Sequence, residues 1–267
     1  MAFADVGDVR LFYTDSGPAG DAGGPPILFC HGFSCDSHDW TWQLPYFEQS
    51  HRVVAVDIRG HGRSSAPEKG YEPRQFAADL AGLLDQLDTG PVVAMGHSLG
   101  GVIVSALAVE HPALVSAVVS VDPGYLLPDE YKPMVLGMVT SLQSGDPIEG
   151  AQTFLSGAYS PASPPALKTW HMRRIAGTPG HVLAQTLAGL FDGDDSLGWG
   201  ATSVAYLQRR QCPVLALYID PDRAAFEASI FTDPRSKSYG WAGSGHWPHQ
   251  ERPDEFNHLV SGWLAAL

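Results

Sequence analysis

VVAMGHSLGG (residues 92–101) opens as a buried strand and breaks at a serine between glycines, with a histidine immediately before the serine. The chain then resumes as an apolar run, VIVSALAVEH (102–111). The break fits G-x-S-x-G set between a strand and a helix, the context a nucleophile elbow needs. Gly96 and Gly100 would let the chain turn where a side chain would collide with neighbouring backbone. Such a turn lifts Ser98 to the carboxyl end of the sheet, where ligands bind in open α/β folds, and aims the first helical amides at an oxyanion. The structural alternative is a glycine-rich turn with Ser98 as a helix cap.

Outward from this stretch, further short apolar runs read as buried parallel strands: PILFC (26–30), VVAVD (53–57), AVVSVD (117–122) and PVLALYID (213–220). They lack strict polar alternation, as expected where both sheet faces are covered. Helical stripes separate them. Phe76, Leu80, Leu83, Leu84 and Leu87 line one face behind Pro73, residues 99–110 are apolar nearly all round, and Phe256, Leu259, Val260, Trp263 and Leu264 form the last stripe. Strands alternating with helices predict an α/β fold with a mostly parallel sheet.

The rhythm fails between residues 124 and 210, which carry many prolines and glycines, no convincing strand and large apolar residues including Tyr125, Phe154, Tyr159, Trp170 and Trp199. The expected organisation is a first core segment (1–123), a helical cap (124–210) and a second core segment (211–267). Individually these aromatics suit packing of cap on core; together they suggest an apolar pocket roof.

The 267 residues are 44% hydrophobic and 17% charged, enough for a sizeable core, with a formal net charge of −13. An acidic chain is a poor partner for nucleic acid or anionic lipid, so neither is expected. Cys30, Cys35 and Cys212 match no zinc or redox spacing, and no metal site is expected. The N-terminal MAFADVGDVRLFYTDSG shows no basic stretch leading into an apolar one, so a cytoplasmic location is expected.

A serine nucleophile needs a base, and the base an orienting acid. His246, in GSGHWPHQERPDEF, follows the expected last strand SYGWA (238–242) and lies on the sheet edge of Ser98; His249 suits a structural role. His31, in FCHGF, ends a core strand and would hold the loop whose Phe33 N–H joins the Leu99 N–H in an oxyanion hole.

CHGF (30–33), DIRGHGRS (57–64), GHSLGG (96–101) and GHWPHQERP (245–253) resemble, in order and spacing, the α/β-hydrolase fold superfamily. The resemblance spans nearly the whole chain and is weakest in the cap. It implies a mostly parallel central sheet flanked by helices, a cap inserted after the sixth core strand, a Ser-acid-His triad and no cofactor. It gives Asp57 and His61 a structural loop rather than chemistry. Serine in place of aspartate at position 98 disfavours haloalkane dehalogenase and epoxide hydrolase activities.

The acid departs from the common pattern. Most of the superfamily place it in a Gly-x-x-Asp loop after the strand behind the cap; here that region reads PVLALYIDPDRAAFE, with Asp220 and Asp222 but no such glycine. Asp122 ends the strand after the nucleophile helix, 24 residues past Ser98. This spacing is similar to that of fungal zearalenone lactonases and cofactor-free quinolone dioxygenases, and it favours Asp122. The expected activity is hydrolysis of an ester or lactone in an apolar, aromatic-tolerant small molecule, with Trp40, Tyr125 and Trp170 as pocket candidates. Three alternatives use the same scaffold: a dioxygenase in which His246 and Asp122 deprotonate a 3-hydroxy-4-quinolone, a C–C bond hydrolase, and a ligand receptor.

Overall fold

The computed structural model describes residues 1–17, 23–193 and 196–267. The chain begins with strands β1 (Ala2–Val6) and β2 (Val9–Asp15), followed by β3 (Ile27–Cys30), α1 (Leu44–Phe47), β4 (Val53–Asp57), α2 (Pro73–Leu87), β5 (Val92–His97), α3 (Leu99–Glu110) and β6 (Val115–Val121). Helices α4 (Lys132–Ser144), α5 (Pro147–Ser156), α6 (Pro165–Gly177), α7 (Gly180–Phe191) and α8 (Gly200–Leu207) fill the interval before β7 (Val214–Tyr218). The chain closes with α9 (Pro221–Ser229), β8 (Lys237–Gly240), α10 (Pro248–Glu251) and α11 (Pro253–Leu264).

All eight strands form one sheet in the order β1-β2-β4-β3-β5-β6-β7-β8. β1 and β2 are antiparallel to their neighbours; every pairing from β4 to β8 is parallel. This antiparallel hairpin is absent from the sequence reading. Its strands lie at the sheet edge with mixed burial, so they carry none of the continuous apolar signal of the central strands.

The central strands pack on both faces through the period-two pleat. Leu28, Cys30, Val92, Ala94, Val214 and Ala216 join one core with α2, α3 and the 124–210 helices. Ile27, Phe29, Val93, Met95, Leu215 and Leu217 join the other, with Trp40, Phe47 and α11. Each fully buried Leu or Phe there contributes roughly 1.5–3 kcal/mol. All three cysteines are buried and free. Among the described residues no helix is long and apolar enough to cross a membrane.

The chain leaves β3 for β4 on one side and leaves the adjacent β5 for β6 on the other, so connections from these two neighbouring strands run in opposite directions. In an open α/β sheet that reversal opens a crevice at the strands' carboxyl ends. Residues 30–33 and 97–98 lie there.

A buried polar network ties both ends of the 124–210 segment to the core. Glu227 in α9 accepts from the Tyr125 hydroxyl (2.9 Å), the Arg210 guanidinium (2.9 Å) and the Tyr218 hydroxyl (2.6 Å). Arg210 and Glu227 are 4% and 0% exposed, so losing either charge strands the other away from water. Glu227→Gln should therefore lower the unfolding free energy by about 3 kcal/mol, read as an earlier urea midpoint at unchanged slope.

Candidate functional site

The elbow is built from backbone that tolerates no side chains. A Cβ on Gly96 would lie 2.1 Å from the Gly100 carbonyl oxygen, and one on Gly100 would lie 2.2 Å from the Cys30 carbonyl oxygen. The end of β5, the start of α3 and the end of β3 thus meet backbone to backbone. Ser98 takes φ 54° and ψ −116°, a left-handed strain costing about 1–3 kcal/mol. It makes no side-chain cap to α3, so the capping alternative does not hold.

That conformation presents Ser98 to His246. The Ser98 hydroxyl donates to His246 Nε2 at 2.9 Å, and His246 Nδ1–H donates to Asp122 Oδ2 at 2.5 Å. Asp122 is 3% exposed and adopts φ 40°, a region that aspartate tolerates better than most residues. Its backbone N–H donates to Leu217 O at 2.6 Å. Its Oδ1 accepts from the Ile219 N–H at 3.4 Å and lies 3.6 Å from the Arg223 guanidinium. Asp220 and Asp222, the competing acids, are exposed, and Asp220 is spent capping α9 through the Asp222 N–H at 2.9 Å.

The loop after β3 closes over the elbow, with a Cβ on Gly32 placed 3.1 Å from Ser98 Cβ. His31 pins this loop. Its Nε2 accepts from Ile58 N–H (3.1 Å), which leaves Nδ1–H to donate to Gly32 O (2.8 Å). Among the described residues no backbone carbonyl takes the N–H of Phe33 or Leu99; Leu99, as the first residue of α3, has no intrahelical acceptor. Asp57 serves the neighbouring loop, accepting from Ser37 N–H and Arg63 N–H at 2.8 and 2.9 Å.

The pocket candidates need correction. Trp40 is wholly buried on the far core, stacked on Phe29 at 4.7 Å, and cannot meet a ligand. Tyr125 is equally buried, its hydroxyl engaged by Ser120 and Glu227. Trp170 is 41% exposed and stacks on Trp42 at 6.2 Å. Two aromatics of the 124–210 segment pack on neighbours of the site: Phe154, edge-on to Phe33 at 6.2 Å, and Tyr159, stacked at 5.1 Å on Trp247 beside His246. Composition could name these residues but not rank them, because one apolar list holds both core and wall.

Behind His246 lies a cluster of buried aromatic and imidazole rings. His97, His171 and His249 are each at most 1% exposed and pack around Trp247 and Trp40. Burial lowers His249 to about 3 and His171 to about 4, against nearby Asp39, which pulls the other way. Burial, then repulsion from His31, lowers His61 to about 3. Among the described residues no three His, Cys, Asp or Glu side chains are grouped to hold a metal ion.

The fold and this arrangement define the class: an α/β-hydrolase fold presenting a serine at a strand–helix elbow. The family model described as "Alpha/beta hydrolase family" matches residues 27–259, and the chain belongs to that family. A 2-(acetamidomethylene)succinate hydrolase from Mesorhizobium japonicum is 31% identical over 156 residues, 58% of this chain and 54% of that protein. A non-heme chloroperoxidase from Streptomyces lividans is 42% identical over 93 residues, 34% of this chain and 33% of that protein. The chain thus spans about half or less of these curated relatives' length. Among solved structures, Est816, described as an N-acyl homoserine lactone degrading enzyme, is similar at TM-score 0.79 and 25% identity, covering 98% of this chain and 99% of that one.

The buried histidines carry a pH dependence. Their folded values lie below the unfolded 6.5, so between about pH 6.5 and 4 the unfolded chain binds protons that the folded chain refuses. Stability is complete above pH 6.5 and falls as pH drops, by about 1.4 kcal/mol per unit for each such histidine. Urea midpoints at pH 7, 6 and 5 should fall in that order, and His249→Leu should flatten the slope. A midpoint unchanged between pH 7 and 5 contradicts this account.

Proposed function

We propose that this protein is a serine hydrolase cleaving an ester or lactone bond in an apolar small molecule. The observation that carries the reading is the Ser98–His246–Asp122 relay at 2.9 and 2.5 Å on a strained elbow. His246 Nε2 takes the Ser98 proton as Oγ attacks the carbonyl carbon. The Phe33 and Leu99 N–H groups receive the oxyanion. Asp122 holds the His246 tautomer with Nδ1 protonated and stabilises the imidazolium that forms. His246 then returns the proton to the leaving alkoxide, and water repeats the sequence on the acyl-enzyme. With a lactone the alkoxide stays tethered, and the product is a hydroxy acid.

The 124–210 helices act as the cap, with Phe154 and Tyr159 as the apolar wall over the scissile bond. Likeness to a lactone-degrading structure supports a cyclic ester as one substrate form. The Mesorhizobium relative supports hydrolysis as the reaction type.

A fluorophosphonate should label the Ser98 peptide, and Ser98→Ala should abolish both label and turnover of a p-nitrophenyl ester. Absence of label combined with oxygen uptake on a 3-hydroxy-4-quinolone replaces this reading with the dioxygenase one. The acid is tested separately. Asp122→Asn, which keeps shape and backbone preference, should lower kcat about 10⁴-fold, while Asp222→Asn should leave kcat near that of the unsubstituted enzyme. The reverse pattern moves the acid to the loop after β7.

A further inference from the structure

The histidine before the elbow serine has no part in the relay, yet it is buried beside it. The pleat of β5 sends Val93 and Met95 to the core that holds Trp40 and α11, and His97 follows them two residues on. There its ring lies 4.8 Å from that of His249 and 5.6 Å from that of Trp247. On the other side it is close to the oxyanion loop, since a Cβ on Gly32 would meet Nδ1 at 3.0 Å. His97 Nε2 lies 2.7 Å from the backbone carbonyl oxygen of His246. A carbonyl can only accept, so the proton is on Nε2.

We propose that His97 is a positioning residue: its Nε2–H clamps the His246 carbonyl and so fixes where the His246 imidazole stands between Ser98 and Asp122. The proposal rests on reading His246 as the base. His246 sits in an irregular loop between β8 and α10, which includes Gly243 at φ 90° and carries no sheet pairing. Its N–H donates to Ala158 O at 2.7 Å, and the preceding Gly245 N–H donates to Glu251 at 2.8 Å. Both anchors lie outside the strand that bears Ser98. His97 is different because it adjoins Ser98 in the chain. The last residue of β5 and the elbow residue after it therefore grip residue 246 twice, His97 at the backbone and Ser98 at the ring. One planar peptide unit joins the two residues that hold residue 246. The clamp also needs an uncharged ring. A cation in contact with His246 would oppose the imidazolium that forms there, and burial holds His97 well below the usual histidine range. Asp39, His246 and His249 are ionisable groups whose charges act on it.

Glutamine can place an amide N–H near the position of Nε2, asparagine only near Nδ1, and leucine fills space without a donor. The full chain is compared with His97→Gln, His97→Asn and His97→Leu by fluorophosphonate labelling rate, kcat and KM on a p-nitrophenyl ester, melting temperature, and the far-downfield proton resonance of His246 Nδ1–H. His97→Leu and His97→Asn should lose about 10- to 100-fold in kcat and labelling rate, with KM little changed and the resonance broadened. His97→Gln should recover most of the rate and the signal. A leucine variant that labels at the unsubstituted rate overturns the proposal. So does a glutamine variant as slow as leucine at an equal melting temperature, which makes His97 packing only. If leucine fails to fold, Gln against Asn decides, and equal rates overturn it. Failure of the underlying reading looks different: His246→Gln would then label Ser98 as fast as the unsubstituted protein, while the resonance comparison still reports on the clamp.

Discussion

The backbone contact between the ends of β3 and β5 and the start of α3 is the constraint on which the site depends. Gly96 and Gly100 leave no room for a Cβ because carbonyl oxygens occupy that space. Remove the contact and α3 must withdraw from the sheet. Ser98 would then lose the φ of 54° that lifts its hydroxyl clear of the strand, and the Leu99 N–H would no longer point beside it. The Gly32 loop closes from the opposite side less tightly, a Cβ there falling 3.0 Å from His97 Nδ1 and 3.1 Å from Ser98 Cβ. Ser98 and the Leu99 N–H are thus positioned by close-packed main chain, and the strain at Ser98 is offset by the burial of α3, whose residues from Leu99 to Val109 are all inside.

The 124–210 helices hang from this core by charge as well as by apolar packing. Tyr125 at their start and Arg210 at their end converge on Glu227, so entry and exit share one buried carboxylate. On the other flank, Arg174 of α6 reaches Asp36 at 3.2 Å and also pairs with the buried Asp39. The loop from α5 to α6 then touches His246 through Ala158, and Ser163 donates to Glu251. A segment fastened this way can shape the pocket and hold His246 at once. Displacing it, for substrate entry or by mutation, therefore affects the chemistry as well as access.

Much of the core was legible because each cue had one physical meaning. Apolar runs near 27–30, 53–57, 92–95 and 214–218 can be strands covered on both faces, and they are. Glycines around Ser98 at a strand–helix junction can turn the chain sharply, and they do. His246 followed from its place between the last strand and the last helix. Legibility failed where a residue's role depends on its neighbours in space. The β1–β2 hairpin escaped notice because edge strands need no apolar continuity. Trp40 and Tyr125 read as pocket walls from composition alone, yet one lines the far core and the other joins a buried ion pair. His97 was visible as an oddity, but its partner is 149 residues away in the chain.

Asp122 owes its orientation toward His246 to the loop of the neighbouring strand β7. After β7, Asp220 caps α9 and both Asp220 and Asp222 are exposed. That loop instead serves the acid on the neighbouring strand. Ile219 gives Asp122 an N–H, and Arg223 sets its guanidinium 3.6 Å from Oδ1 while donating to the carbonyls of Pro123 and Tyr125 at 2.7 and 2.8 Å. Those contacts hold the turn in which Asp122 adopts φ 40° and direct its other oxygen to His246 Nδ1. A nearby cation also competes for the carboxylate's charge, which would weaken its pull on an imidazolium. The Arg223 guanidinium is 3.6 Å from Oδ1, while Oδ2 makes the 2.5 Å bond to His246. The loop after β7 thus braces Asp122 at the end of the neighbouring strand.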